Sequence, residues 1–93
     1  MEQQDKVTPT DIEHSIDEVW DGDQLEQHYN FLDYHFEELG AYLRARVYLN
    51  EPRTALLFGP FESRQSIETV AAPIFLKAVE AYLGRRFLHV THR

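Results

Sequence analysis

Residues 29–50, YNFLDYHFEELGAYLRARVYLN, decide the fold. Leu32, Tyr34 and Phe36 alternate with Asp33, His35 and Glu37, which is the period of a strand with one buried face. Glu38-Leu39-Gly40-Ala41 supplies a turn. The alternation then resumes with Leu43, Ala45, Val47 and Leu49 on an apolar face and Tyr42, Arg44, Arg46 and Tyr48 on a polar-aromatic one. Folding the stretch back on itself with Glu37 opposite Tyr42 sets His35 against Arg44, Asp33 against Arg46 and Phe31 against Tyr48. Carboxylate then meets guanidinium and ring meets ring, pairs that contribute roughly 0.2–1 kcal/mol each. A slip of one residue would push Asp33 and Glu37 into the apolar face.

Outward from this hairpin, Glu51-Pro52 ends the second strand, because proline cannot donate to a ladder. Residues 54–61 read as a third strand, closing an antiparallel meander. Upstream, Thr10-Asp11-Ile12-Glu13 has the form of a capping box. Ile12, Ile16, Val19 and Trp20 follow at helical spacing, so a short helix is expected over 11–20, ended by Asp21-Gly22-Asp23. Downstream, Ser63 suits an N-cap. Ile67, Val70, Ala71, Ile74, Phe75, Ala78, Val79, Tyr82 and Leu83 recur at three and four, which predicts one long amphipathic helix that ends at Gly84 and Arg85-Arg86. Pro73 falls inside it and predicts a kink. Residues 87–92 read as a short closing strand.

The expected architecture is therefore α+β. It comprises a short N-terminal helix, a three-stranded antiparallel meander, a long kinked amphipathic helix packed on one sheet face, and a short C-terminal strand. Residues 1–8 read as a mobile tail and 9–93 as a single domain. The expected core is Leu43, Val47, Leu56, Phe58, Ile67, Val70, Ile74, Phe75 and Val79. The order helix, three strands, helix resembles the double-stranded-RNA-binding domain, although Ser63-Arg64-Gln65-Ser66-Ile67-Glu68 stands where that family places lysines. Leu57-Phe58-Gly59-Pro60-Phe61-Glu62-Ser63-Arg64 is similar to the strand-to-helix corner of sporulation-related peptidoglycan-binding repeats. Both are likenesses of topology, and neither family's function is carried over.

Ninety-three residues make one domain, of a size that buries only about 60–65% of its unfolded surface. There is no cysteine, so neither a disulfide framework nor a thiolate metal site is available. The opening Met1-Glu2-Gln3-Gln4-Asp5-Lys6 lacks the basic and apolar runs of a signal peptide. No apolar stretch approaches the roughly 18 residues that span a bilayer. A cytoplasmic protein without membrane attachment is expected.

The net charge of −7 is unevenly spread. Residues 1–40 carry twelve acidic side chains and one base, Lys6, whereas 41–93 carry four acids and eight bases. Such a chain can meet a charged partner with one face.

No motif points to catalysis, a cofactor or a metal. His89 and His92 are three apart and on a strand point to opposite faces. His28 and His35 stand among Glu26, Asp33 and Glu37, but no metal-ligand spacing occurs. There is no phosphate loop and no nucleophile elbow. The candidate binding surface is the outer face of the hairpin, Tyr42, Arg44, Arg46 and Tyr48 with His35, where planar cations interleave with aromatics. The leading expectation is a non-enzymatic protein-interaction module, an adaptor, assembly factor or regulatory subunit, acting as a homodimer on another protein. One alternative is an acidic inhibitor or immunity-type protein whose residues 11–26 block a basic site. The other is a small ligand or nucleic-acid binder using the Tyr/Arg face, with nucleic acid the less favoured.

Overall fold

The hairpin pairing forms as the residues dictate. In the computed structural model, which describes residues 5–93, β2 (Gln24–Glu38) and β3 (Ala41–Tyr48) pair Glu37 with Tyr42, His35 with Arg44, Asp33 with Arg46 and Phe31 with Tyr48. β1 (Asp11–Asp21) pairs antiparallel with β2, and β4 (Thr54–Phe61) with β3. The chain then crosses through one helix, α1 (Pro73–Gly84), to β5 (His89–His92), which lies parallel to β4. The five strands stand side by side in chain order. The helix covers the face that carries Phe36, Leu43, Ala45, Val47, Ala55 and Leu57, and inserts Phe75, Val79, Tyr82 and Leu83 among them.

Three expectations fail, each for an identifiable reason. The segment 11–20 is a strand, not a helix. Its apolar residues Ile12, Ile16 and Trp20 are four and eight apart, an even spacing that suits one face of a strand as well as a helix. β2 supplies a ladder partner along its full length, from Asp11 opposite His35 to Asp21 opposite Gln24. Asp21-Gly22-Asp23 is then the hairpin turn. Gly22 has φ of 64° and Asp23 does not share the positive sign, the type II′ pattern that matches strand twist.

The long kinked helix is also absent. Residues 62–72 leave β4 without helical structure, and Pro73 begins α1 instead of bending it. Proline fits the first helical position because its missing N–H would have no partner there. It also disfavours helical geometry in the residue before it, and Ala72 sits at φ −144°, ψ 64°. The backbone upstream bonds elsewhere: the Glu62 N–H donates to Glu68 O at 2.9 Å and the Val70 N–H to Pro60 O at 3.1 Å. Ile67 and Ile74, both expected in the core, are 90% and 85% exposed. At the other end Arg85 and Arg86 follow the helix, and the Arg86 guanidinium donates to Tyr82 O at 2.9 Å.

The third correction concerns parity in β4. Ala45 faces Leu57 and Arg46 faces Leu56, so Ala55 and Leu57 enter the core while Leu56 and Phe58 lie half-buried on the opposite face. Of the expected core, Leu43, Val47, Phe75 and Val79 are buried, and Val70 packs at its margin. The sheet is thus mixed and five-stranded rather than a three-stranded meander, and its element order is not that of the double-stranded-RNA-binding domain. Ser63 caps no helix, so the likeness of residues 57–64 to a strand-to-helix corner fails as well.

Of the expected tail, residues 1–4 lie outside the described residues. Asp5 bonds both Arg85 and Arg86, and Val7 packs against the core. No helix among the described residues is long and apolar enough to cross a membrane.

Candidate functional site

The two faces of the sheet have different fates. On the face away from α1, β1 brings Asp11 and Glu13 beside His35 and Asp33 of β2, and β3 brings Tyr42 and Arg46 to their other side. An open outer face was expected. Instead Asp33, His35 and Tyr42 are only 6%, 5% and 2% exposed.

Burial on this scale requires partners, since an unsatisfied buried polar group is destabilising by about 1–3 kcal/mol. They are present. Arg46 grips Asp33 with two parallel hydrogen bonds, Nε to Oδ1 at 2.8 Å and an Nη to Oδ2 at 3.0 Å. The same guanidinium lies 4.0 Å from the centroid of Phe31. His35 has its Nδ1 2.6 Å from the Tyr42 hydroxyl and its Nε2 3.2 Å from the Glu13 carboxylate. From the connector after β4, Arg64 reaches Asp11 at 2.6 Å and Glu37 at 2.5 Å, tying the edge strand to its neighbour over the Tyr42 ring. Gly59, at φ 107°, lets β4 close on this network. A Cβ there would stand 2.8 Å from the Tyr42 carbonyl oxygen.

The charges follow from these contacts. The Asp33 carboxylate holds the Arg46 guanidinium in its protonated form beyond the ordinary arginine range. Arg64 draws the Asp11 carboxyl below its usual value. That pair stands in solvent, where an ion pair contributes little. Burial pushes the Tyr42 phenol up, and the Tyr34 phenol likewise.

A folded-state value above the unfolded one, about 10 for tyrosine, means stability fully present below that pH and lost as pH rises past it. Denaturant midpoints are therefore expected to fall between pH 9 and pH 11 (~2 pH units across the reference value). Tyr42→Phe should flatten that fall. An equal alkaline decline in the variant would show that the phenol is not its source.

Of the five residues expected to form a binding surface, the structure gathers all on this face but withdraws two from solvent. Tyr42 and His35 are buried in the network, while Arg44, Arg46 and Tyr48 are half-buried. Arg44 stacks over Phe58 at 4.9 Å, and its Nε is buried without a hydrogen-bond partner among the described residues. Glu13, Asp11 and Arg64 belong to the same network and were not found by sequence reasoning. A period-two reading of residues 11–21 would have made them a strand, but counting back from the turn sets Glu13 opposite Leu32; the bulge at Glu26 is what brings it opposite Asp33. Glu13, Asp33 and His35 offer three ligand atoms within 4.8 Å of one another, the donor set a divalent cation would use. Asp33 is committed to Arg46, however, and His35 to Tyr42 and Glu13, so protein groups already close the cluster.

The other conspicuous region is the far half of the β1–β2 hairpin. β3 pairs with β2 only from Phe31 onward, so Gln24–Asn30 and their β1 partners form a two-stranded arm. On the helix side it shows Ile16 (56% exposed), Trp20 (54%) and Leu25, continued by Ile12 along β1; on the other side it shows Val19 and Tyr29. Asp17, Glu18, Asp21, Asp23 and Glu26 surround them, and no lysine or arginine occurs between Lys6 and Arg44. Two shallow hollows, of about 270 and 260 Å³, lie elsewhere, beside α1 and at the Tyr48 end of β3. No family model, curated protein or solved structure matches the chain.

Proposed function

We propose that this protein is a non-enzymatic protein-interaction module, an adaptor or regulatory subunit of the cytoplasm, whose working element is the β1–β2 arm. One observation carries the reading: Ile12, Ile16, Trp20 and Leu25, with His14 and Glu18 between them, lie exposed in a stripe on the helix side of the sheet, where no layer among the described residues covers them. Exposed clusters of this kind mark contact sites, and tryptophan is prominent among residues that dominate binding energy. The carboxylates around the stripe select a partner surface that is apolar with a basic rim, and disfavour nucleic acid, which shares their sign.

The blocking of a basic site, as by an inhibitor or immunity-type protein, is a narrower form of the same reading. It is favoured by the arm's ordered carboxylates. The hairpin's Tyr/Arg face supports a ligand role less well, because its arginines are occupied by Asp33, Phe31 and Phe58.

Trp20 is the only tryptophan in the chain, so its emission reports on the arm. A protein captured by the full chain from native lysate is expected to blue-shift that emission. Its affinity should fall about tenfold or more on Trp20→Ala, a hot-spot loss. Asp17→Asn with Asp21→Asn and Asp23→Asn should weaken it further at low salt. A partner that binds all these variants like wild type, with unchanged emission, would remove the arm from the function.

A further inference from the structure

The stripe has a second unmet requirement, on its edge rather than its face. β1 is the outer strand of the sheet over all of Asp11–Asp21, and one side of its backbone has no ladder among the described residues. At about 3.3 Å per residue this is a straight edge of roughly 35 Å. Such edges template pairing with another chain unless proline, charged side chains (lysine above all) or a short strand blunt them. β1 contains neither proline nor lysine; its charges are five carboxylates, of which Asp11 and Glu13 are already engaged by Arg64 and His35. The bulge near its end places the extra residue, Glu26, on β2 and leaves β1 continuous. The opposite edge, β5, is only four residues long.

We infer that β1 pairs antiparallel with β1 of a second copy, about a two-fold axis through Ile16, to make one continuous ten-stranded sheet. The partner is named by self-complementarity. Ile16 is the midpoint of the strand, and the register it defines sets Trp20 against the partner's Ile12, and Glu18 against the partner's His14. Every helix-side position of β1 then has an opposite number of matching character.

Neighbouring registers do not. Centring on Ser15 sets Ile12 against Glu18; centring on Asp17 sets Ile16 against Glu18 and Asp17 against itself; centring on Glu18 sets two carboxylates face to face. Like charges directly opposite are destabilising, as aromatic–aliphatic and opposite-charge pairs are stabilising. The intrachain contacts lead into the same rail. Glu18 lies 3.5 Å from His28, and the His14 Nε2 lies 2.5 Å from Asn30 Oδ1. His28, Glu18, the partner's His14 and the partner's Asn30 thus follow one another across the axis. On the other face Asp17 meets Ser15 and Glu13 meets Val19, and the one like-charge pairing, Asp11 with the partner's Asp21, falls at the two ends of the ladder, where Arg64 already neutralises Asp11.

The inference rests on the arm as contact element but not on any partner at its tip. Pairing through the edge leaves the side chains of both stripes on one face, where they join into a platform of twice the area.

The absence of cysteine permits a clean test. Single-cysteine variants of the full chain are oxidised with a glutathione couple and read on non-reducing gels. Ile16→Cys should cross-link to itself, since cross-strand Cβ atoms stand about 4.5–5.5 Å apart. His14→Cys alone and Glu18→Cys alone should stay uncrosslinked, while an equal mixture of the two should give the mixed dimer. In parallel, sedimentation of the wild type at tens of micromolar should give twice the 11.0 kDa chain mass. Ile16→Lys, at an exposed position, should give the single chain with unchanged far-ultraviolet circular dichroism. A wild type that stays at chain mass throughout, or cross-linking as efficient at His14 as at Ile16, would overturn the inference. Failure of the arm reading is distinguishable, because the cross-links and the sedimentation are read on the chain alone, with no captured partner present.

Discussion

Phe75→Ala is expected to lower the unfolding free energy by about 3–5 kcal/mol, the range for removing a fully packed aromatic ring. Phe75 stands in the first turn of α1 and is buried in the core cluster with Val79, Tyr82 and Leu83. With α1 the only helix among the described residues, no second layer of theirs can collapse into the space left behind. Ile74 is its neighbour in sequence and is as apolar, yet it points to solvent. Ile74→Ala should change stability by less than about 0.5 kcal/mol. Urea denaturation of the two variants checks both numbers. Equal midpoints would mean that α1 is rotated relative to the sheet.

The second large effect is expected at the Asp33–Arg46 pair. Arg46→Ala leaves a carboxylate that is 6% exposed with neither of its two guanidinium hydrogen bonds. Breaking a fully buried pair in this way costs about 3–5 kcal/mol. The Arg46 side chain is 26% exposed, so water reaches the pair and the expected loss is nearer 2–3 kcal/mol. The sequence alone suggests a surface arginine whose removal would leave the fold intact. The structure makes that substitution a test of stability instead. Replacing both partners with Asp33→Leu and Arg46→Met removes the charges together and should recover most of the loss, because matched apolar replacement of an ion pair is often neutral. A double variant as unstable as Arg46→Ala would show that Asp33 is held by more than the pair. Chemical denaturation of the single and double variants decides between these outcomes.

These residues also show what could be read without coordinates. Residues 31–48 were legible because two independent patterns agree there. Alternation sets the faces, and carboxylate opposite guanidinium sets the register. For β1 the patterns conflict. Thr10 and Glu13 offer a capping box, and Ile12, Ile16 and Trp20 satisfy both periods. The choice is made by β2, a partner nearly as far away in sequence as the hairpin is long, which local periodicity does not register. The stripe from Ile67 to Leu83 failed for a related reason. Its helical spacing is continuous across Pro73, but residues 62–72 find backbone partners at the end of β4, and Ile67 finds no core.

The candidate site divided in the same way. Asp33, His35, Tyr42 and Arg46 could be placed on one face from the hairpin alone, whereas Glu13, Asp11 and Arg64 could not. Their positions depend on the strand mistaken for a helix and on the connector mistaken for another.

One consequence of the arm concerns time rather than shape. β2 is a single strand that lives in two mechanical regimes. From Phe31 to His35 it is ladder-bonded on both sides, β3 alone continues the ladder to Glu38, and much of this part is pinned under the core. From Gln24 to Tyr29 the ladder comes from β1 alone, the Asn30 carbonyl being the last to accept from the other side, from the Leu49 N–H at 2.9 Å. Amides in the first part can exchange with solvent only when the domain opens as a whole; those in the second need only the hairpin tip to fray. Exchange protection should therefore drop along one continuous strand, with the break near Asn30. The tip would sample open forms at rates the core never reaches, and whatever grips Trp20 would slow that sampling from the tip inward.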